Sequence, residues 1–152
     1  MSDTVKRLEE IFAQNKDKRI CVLGTTCCGK TTLQKELSEA IDMDEALWPT
    51  LSRQEEAYIC QKPWTNEIGT FTRALVKERI KIEPSHPLFS LIVLECDLIV
   101  YLNISEELLK AHCKKRNASF QDAIKIKLAI EQSMKAYAEK AHVDVIEMTM
   151  QQ

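Results

Sequence analysis

The sequence predicts a three-layer α/β domain, in which helices cover both faces of a mostly parallel central sheet. Short apolar runs typical of buried strands alternate along the chain with segments of helical periodicity. The first strand-like run also ends at a loop bounded by two glycines, and a helical segment follows this loop directly. A chain of 152 residues is about one domain long, so we expect a single domain over residues 1–152.

The composition is that of an ordinary globular protein, with 45% hydrophobic and 29% charged residues. The formal net charge of −2 gives no surface-wide field that would attract nucleic acid or anionic lipid. No apolar run reaches the roughly 18 residues of a membrane span, and residues 1–10 lack the apolar core of a signal peptide. We expect a cytoplasmic protein without a membrane or nucleic-acid partner, and the composition leaves the oligomeric state open.

The cysteine pattern favours neither a zinc site nor a disulfide framework. The six cysteines, at positions 21, 27, 28, 60, 96 and 113, form no Cys-x-x-Cys pair, and four lie inside apolar or helical runs. Free cysteine behaves in proteins as a small buried hydrophobe. We therefore predict that most of these thiols are core residues.

The N-terminal residues 1–16 predict a helix packed on the rest of the domain. Val5, Leu8, Ile11 and Phe12 form one apolar stripe over residues 3–15.

The next part of the chain predicts a buried strand over residues 19–24 and a helix over 30–40. Residues 42–61 are irregular and acidic, which indicates a surface loop leading to a short helix. Helical spacing returns over residues 65–79.

Two apolar runs follow a weak predicted strand at residues 80–82. Only three residues separate the runs 88–94 and 98–102. Neighbouring parallel strands need a crossover of a dozen or more residues, so the two runs cannot be adjacent parallel strands. We predict a short helix over 88–94 and a strand over 98–102, where β-branched and aromatic residues are more frequent.

The last part predicts two capped helices and a strand. Ser105 caps a helix over 105–116, the pattern Ser119-x-x-Asp122 opens a helix to about residue 141, and residues 143–147 form the last strand.

The loop between the first strand and its helix reads GTTCCGKTT and fits the phosphate-binding pattern G-x-x-x-x-G-K-[ST]. In this context the backbone amides of residues 26–30 surround a β-phosphate, Lys30 reaches the β- and γ-phosphates, and the Thr31 hydroxyl ligates Mg²⁺. The predicted nucleotide-binding residues are therefore Gly24, Thr25, Thr26, Cys27, Cys28, Gly29, Lys30, Thr31 and Thr32.

Within the loop, Cys27 and Cys28 are expected to contribute only their backbone amides. A helix N-terminus can lower the pKa of a thiol, so oxidation of one of them is a secondary hypothesis.

A second segment, residues 97–116 with the sequence DLIVYLNISEELLKAHCKKR, extends the pattern. Together with the strand, loop and helix of residues 19–40, it resembles the P-loop NTPase superfamily, and within it the kinases of nucleosides and nucleoside monophosphates. The resemblance implies ATP and Mg²⁺ as cofactors and a small-molecule acceptor. It covers the middle of the chain poorly.

That family carries an R-x-x-x-R pair on the helix after this strand, and these arginines neutralise the transferring phosphoryl group. Arg116 matches the second position, whereas His112 replaces the first. We interpret His112 as an exposed helix residue. Lys114, Lys115 and Arg116 have a second interpretation as a solvated cluster.

The family also places an acid at the carboxyl end of a central strand, where it orients Mg²⁺ or accepts a proton. Glu83 stands at a similar point in Glu83-Pro84-Ser85, and we favour it as the catalytic and metal-binding acid. This role requires residues 80–82 to be that strand. Glu95 is the rival, and it requires residues 91–94 to be the strand.

The acceptor is expected between the first helix after the loop and the middle helices. The candidate acceptor residues there are Arg53, Glu55, Glu56, Trp64 and Arg73. A regulatory GTPase is not expected, because the near match Asn15-Lys16-Asp17-Lys18 to the guanine-selecting Asn-Lys-x-Asp element precedes the loop and has the wrong order.

The sequence thus predicts a P-loop kinase that transfers the γ-phosphate of ATP to a small acceptor, with Lys30, Glu83 and Arg116 as catalytic residues and Thr31 and Glu83 as metal ligands. A nucleoside or nucleotide is the first-choice acceptor. The alternative is a nucleotide-binding module that hydrolyses ATP slowly or not at all and acts through a partner.

Overall fold

A sheet of five parallel strands forms the middle layer of the computed structural model, which describes residues 3–62 and 65–150. The strands lie in the order β2-β3-β1-β4-β5. Their bounds are β1 Ile20–Leu23, β2 Ile41–Asp42, β3 Leu88–Ser90, β4 Leu98–Ile104 and β5 Asp144–Met150. This sheet and the helices on both of its faces confirm the predicted three-layer α/β class.

The helices surround this sheet and connect its strands. Their bounds are α1 Asp3–Gln14, α2 Lys30–Glu36, α3 Met43–Leu47, α4 Arg53–Ile59, α5 Asn66–Arg79, α6 Glu106–Lys115 and α7 Phe120–Ala141. Ser105 and Ser119 cap α6 and α7, as predicted, by accepting hydrogen bonds from the amides of Leu108 and Asp122. None of the helices within the described ranges is long and apolar enough to cross a membrane.

Alternate side chains of β1 point to opposite faces of the sheet, as the period of a strand requires. Ile20 and Val22 pack with α1, α2 and α6 on one face, and Cys21 and Leu23 pack with α3, α5 and most of α7 on the other. All four side chains of β1 are buried, which explains why this strand reads as a continuous apolar run.

Helix α1 packs on the first of these faces. Val5 and Leu8 are fully buried there and Ile11 is almost fully buried. The helix covers residues 3–14, close to the predicted range.

The parallel strands give the sheet two edges with different roles. We call the carboxyl edge the one at which β1 passes into the loop at Gly24, and the amino edge the opposite one, at which Arg19 leads into β1. Side chains that follow β1, β2, β3 and β4 meet at the carboxyl edge.

The prediction for residues 80–94 is wrong. Residues 80–82 form no strand, and the predicted helix over 88–94 is replaced by the strand β3 and an irregular segment. The two apolar runs are both strands, but β1 lies between them, so they are not neighbours. Because β3 has only three residues, the return to the amino edge is short, and residues 91–97 can span up to about 23 Å when extended.

The region predicted as a surface loop contains β2 and α3. Two residues are too few for β2 to show a periodicity. Asp42 ends this strand and caps α3, since its carboxylate accepts a hydrogen bond of 3.2 Å from the amide of Glu45. This short connection carries acidic residues to the carboxyl edge.

Candidate active site

The loop between β1 and α2 has a backbone that depends on its two glycines. Gly29 has a φ of +101°, a backbone angle that residues other than glycine rarely adopt. A β-carbon at Gly24 would lie 2.6 Å from the Cys28 sulfur, so this position has no room for a side chain. Thr25, which is buried, fixes the start of the loop to α7 through a hydrogen bond of 2.6 Å to the carbonyl of Ala123.

The loop leaves backbone donors free for an anion. Among the hydrogen bonds of residues 3–62 and 65–150, none uses the amide of Thr26, Cys27 or Gly29 as a donor. Inside the loop, the Cys28 amide donates to the carbonyl of Thr25, and helix α2 begins with a bond from Leu33 to Gly29. Adjacent free amides of this kind form a concave anion-binding surface.

Lys30 lies against this loop. Its ammonium group donates hydrogen bonds of 2.5 Å and 2.8 Å to the carbonyl oxygens of Gly24 and Thr25. Burial lowers the pKa of Lys30, and the charges of Asp42 and Asp44 oppose that shift. The lowered pKa means that the charged form of Lys30 is only partly compensated by its surroundings. A phosphate bound next to it would supply the missing negative charge.

A cavity of about 210 Å³, the inner cavity, lies next to Lys30 at the carboxyl edge. Its walls include Asp42 and Asp44 after β2, Ser90 at the end of β3, and Arg116. Desolvation and the neighbouring charge of Asp42 raise the pKa of Asp44. The two carboxylates were missed as functional residues, because the sequence placed them in a surface loop.

The end of the central strand β3 carries no acid. Ser90 occupies this position, and its hydroxyl donates to the carbonyl of Ile92 at 2.6 Å and accepts from the amide of Ile92 at 2.8 Å. The carboxylates of the inner cavity come from the end of β2 instead.

The structural premise for Glu83 is wrong. This residue precedes β3, forms an isolated bridge with His86 and is exposed. The neighbouring Ser85 hydroxyl donates to the carbonyl of Lys16, which precedes β1. Glu83 therefore lies at the amino edge, away from Lys30 and Thr31.

The premise for Glu95 is wrong for the same reason. Residues 91–94 are not a strand, and the Glu95 carboxylate accepts a hydrogen bond of 3.2 Å from Arg19 at the amino edge.

Helix α6 brings Arg116 and His112 to the loop. Arg116 lines the inner cavity, and it also lines a second, larger cavity. His112 is not the exposed helix residue that we expected. It is partly buried, and its Nδ1 lies 2.9 Å from the Cys27 carbonyl, which can only accept, so Nδ1 carries the proton.

The second cavity, the outer cavity, has a volume of about 980 Å³. Cys27, Gly29, Thr31 and Arg116 line both cavities, so the loop separates them. The remaining walls of the outer cavity come from α1, α2, α6 and the end of β5, with the residues Asp3, Thr4, Thr32, Leu33, Glu36, His112, Lys115 and Met150.

A third cavity, the side cavity, has a volume of about 550 Å³ and lies between α5 and α7. It shares Met43, Asp44 and Leu91 with the inner cavity, and Arg73 is among its walls. Among the acceptor candidates within the described residues, Arg73 is thus the one that lines a cavity adjoining the inner cavity.

The other acceptor candidates have different positions. Glu55 forms an ion pair of 2.7 Å with Arg79 and completes the capping box of α4. Arg53 and Glu56 lie on the same helix, and Trp64 lies outside the described residues.

The two loop thiols are enclosed rather than presented to solvent. Burial raises the pKa of the Cys28 thiol, and the Lys30 charge offsets this only in part. This rise in the pKa of Cys28 is opposite to the fall that a position near a helix N-terminus suggested.

The residues at the loop fit a nucleotide phosphate with Mg²⁺. The free amides and Lys30 can supply donors for phosphate oxygens, and Thr31 and Asp42 can supply oxygen ligands. Within the described ranges, no cluster of three or more carboxylate, imidazole or thiol groups could hold a metal ion by itself. Mg²⁺ commonly binds through one or two carboxylates together with substrate phosphates, which matches this donor set.

No family model matches the chain, and no curated protein sequence matches it. Among solved structures, the chain is similar to a deoxyadenosine kinase from M. mycoides with the products dCMP and a flexible dCDP bound. The sequence identity is 15%, the similarity covers 87% of this chain and 88% of that chain, and the TM-score is 0.45. Similarity at this level supports no inference about substrate or activity.

Proposed function

We propose that the protein is an ATP- and Mg²⁺-dependent kinase that transfers a phosphoryl group to a small acceptor. One observation carries this proposal: Asp44, next to Lys30, lines both the inner cavity and the side cavity. A nucleotide hydrolase needs one site for the nucleotide and a water molecule. Two cavities that share a carboxylate in their walls suit a reaction with two substrates.

The three cavities have distinct roles in this proposal. The loop amides and Lys30 hold the phosphates of the donor, and the outer cavity has the volume for its nucleoside. The side cavity binds the acceptor. MgATP supplies an activated phosphoryl group when bound, and transfer of this group needs mainly positioning and charge stabilisation.

Five polar side chains of the inner cavity have a role in that scheme. Lys30 and Arg116 bind phosphate oxygens and reduce the negative charge that would repel the acceptor. Thr31 and Asp42 would hold Mg²⁺ with the phosphates. Asp44 faces the acceptor and accepts a proton from its hydroxyl, a role that its raised pKa favours because the carboxyl binds that proton more readily.

The sequence resemblance makes nucleosides and nucleotides the first acceptors to test. ATP turnover should be measured with and without pooled nucleosides, nucleotides and small hydroxyl compounds, for the wild type and Lys30→Met. We expect at least one pool to stimulate turnover by the wild type only. If Lys30→Met retains the wild-type affinity for MgATP, the assignment of the loop is incorrect.

A second function has its own supporting observation. The carboxyl end of β3 carries Ser90 instead of an acid, and His112 replaces the first arginine of the R-x-x-x-R pair. A nucleotide-binding module with weak or no kinase activity, acting through a partner, would need neither group. In the same assay, MgATP binding without stimulation by any acceptor would favour the module over the kinase.

A further inference from the structure

The side cavity has opposite charges along its length. Asp44 is shared with the inner cavity and so marks the end at the carboxyl edge. Arg73 and Lys77 line the side cavity but not the inner one. They are four residues apart on α5, so they project from the same face of the helix.

A further cavity at the amino edge shows in which direction the side cavity extends. Lys77 also lines a cavity of about 300 Å³ that contains Arg19, Lys81 and Glu95 at the amino edge. The side cavity therefore extends from Asp44 at the reaction centre towards Lys77, on the side remote from the phosphate loop.

The two cations are available to a ligand. Within residues 3–62 and 65–150, neither Arg73 nor Lys77 forms an ion pair with a carboxylate. Arg79, the remaining basic residue of α5, is instead paired with Glu55. A guanidinium and an ammonium in one cavity form charge-assisted hydrogen bonds with carboxylate or phosphate oxygens.

The rest of the cavity wall is mainly apolar. Leu91, Ile92 and Val93 contribute from the segment after β3, and Ile126 and Ile130 contribute from α7. Gln132 and Ser133 add uncharged polar groups. Such a surface suits a small organic body between two polar ends.

We propose that the acceptor carries an anionic group, a carboxylate or a phosphate, at the end remote from the atom that is phosphorylated. This inference rests on the proposed kinase function and narrows its acceptor. Arg73 and Lys77 bind the anion, and the reacting hydroxyl lies at Asp44. In the transfer, the hydroxyl oxygen forms a bond to the γ-phosphorus of ATP, its proton passes to Asp44, and ADP leaves with the electrons of the broken P–O bond.

The need for an anionic group distinguishes acceptors that the proposed kinase function by itself would treat alike. Uncharged nucleosides do not meet it, whereas nucleoside monophosphates with a free sugar hydroxyl and small hydroxy acids do. The test is a binding panel in the presence of Mg²⁺ and a non-hydrolysable ATP analogue, with nucleosides, their monophosphates and hydroxy acids as probes. The carboxylate and phosphate arms identify which anion the cavity binds.

The variants Arg73→Gln and Lys77→Gln remove one cation each. We expect each to weaken binding of the charged probe by about tenfold, and the double variant to bind charged and uncharged probes equally. In turnover, the change should raise the KM of the acceptor and leave its kcat and the affinity for MgATP unchanged. Lys135→Gln, an exposed cation on α7 outside the cavity, is the matched control.

The possible results test the anion-binding proposal independently of the kinase function. If the wild type binds no anionic probe more tightly than the double variant does, the proposal is wrong. An uncharged nucleoside that stimulates turnover as well as its monophosphate does would also overturn it, while the kinase function would stand. Failure of the kinase function itself appears as turnover that none of the pools stimulates, charged or uncharged.

Discussion

The two edges of the sheet hold charged residues in opposite ways. At the amino edge, Asp97 accepts three hydrogen bonds from Arg19, from the backbone amide, Nε and Nη2, at 2.9 to 3.0 Å. These bonds lower the pKa of Asp97 to about 2 and raise that of Arg19. At the carboxyl edge, burial lowers the pKa of Lys30, and partial desolvation together with the charge of Asp42 raises the pKa of Asp44, whose side chain stays exposed to solvent.

The opposite pKa shifts at the two edges distinguish charged groups that stabilise the fold from charged groups that are available to bind a ligand. At the amino edge, the protein stabilises the charged forms by pairing them. At the carboxyl edge, both charged forms are disfavoured, and the folded state is less stable for holding them. Such groups are concentrated at binding and catalytic sites, where a ligand supplies the missing partner.

The largest effect should come from Lys30→Met, because it removes the cation of the loop. We expect kcat/KM for MgATP to fall about a thousandfold, as for loss of one pre-organised group at a developing charge. The melting temperature of the nucleotide-free protein should fall little, since burial disfavours the charged form of Lys30. Lys35→Met, on the same helix and exposed, is the control, and an equal loss in it would contradict the role of Lys30.

Asp44→Asn should reduce turnover about a hundredfold, the size typical for loss of a general base. It should also increase the free energy of unfolding at pH 7. Because the folded-state pKa of Asp44 lies above its ordinary value of 3.8, the folded protein binds this proton more tightly than the unfolded chain. Stability from this group is therefore present at low pH and lost as pH rises through its raised pKa.

Activity against pH and chemical denaturation would measure both effects of Asp44→Asn. The acid limb of the wild-type profile should lie above the pH of an ordinary aspartate and should disappear in the variant. Glu45→Gln, an exposed neighbour in α3, should change neither quantity. A variant that is both inactive and destabilised would show instead that Asp44 supports the fold.

Asp97→Asn should have the reverse profile, with reduced stability and unchanged affinity for MgATP. The loss should be about 1 kcal/mol, since solvent screens a partly exposed pair. The stabilisation is present above the ordinary pKa of 3.8 and is lost as pH falls towards about 2. Urea unfolding from pH 2 to pH 7 would measure it, with Asp17→Asn as the exposed control. If the wild type and Asp97→Asn differ equally at pH 2 and pH 7, the pair does not act through charge.

The smallest effect concerns the rate at which thiols react, not the activity. Cys28 is buried and its pKa is raised, whereas Cys60 is exposed. Iodoacetamide, which reacts with the thiolate, should modify Cys60 well before Cys28. Peptide mass spectrometry over time would follow both, and early modification of Cys28 would indicate that the loop opens.

The sequence predicted the part of the candidate site whose residues are contiguous in the chain. The strand, loop and helix around residues 19–40 are contiguous, and the loop pattern specifies backbone positions that glycine and lysine reveal directly. The helix with Arg116 was predicted for the same reason, since its cap and its preceding strand are local signals.

The strands on which the predictions of Glu83 and Glu95 depended are absent, and the sequence could not show this because the position of an acid at the sheet edge depends on distant segments. Whether Glu83, Glu95 or Asp44 faces Lys30 depends on which strand lies beside β1 and on the edge where each residue emerges. The strands β2 and β3 have two and three residues, too few to show a period. The separation of only three residues between the runs 88–94 and 98–102 suggested a helix for the first run, because the sequence does not show that β1 lies between the two strands.

By itself, the sequence determined the three-layer class and the position of the loop between β1 and α2, because periodicity and a contiguous motif depend on neighbours along the chain. Only the tertiary structure decided that Asp42 and Asp44 approach Lys30 and that Arg73 and Lys77 share a cavity with Asp44. These contacts join separate segments through the order of the strands in the sheet. That order is set by burial on both faces of the sheet, to which all the segments contribute together.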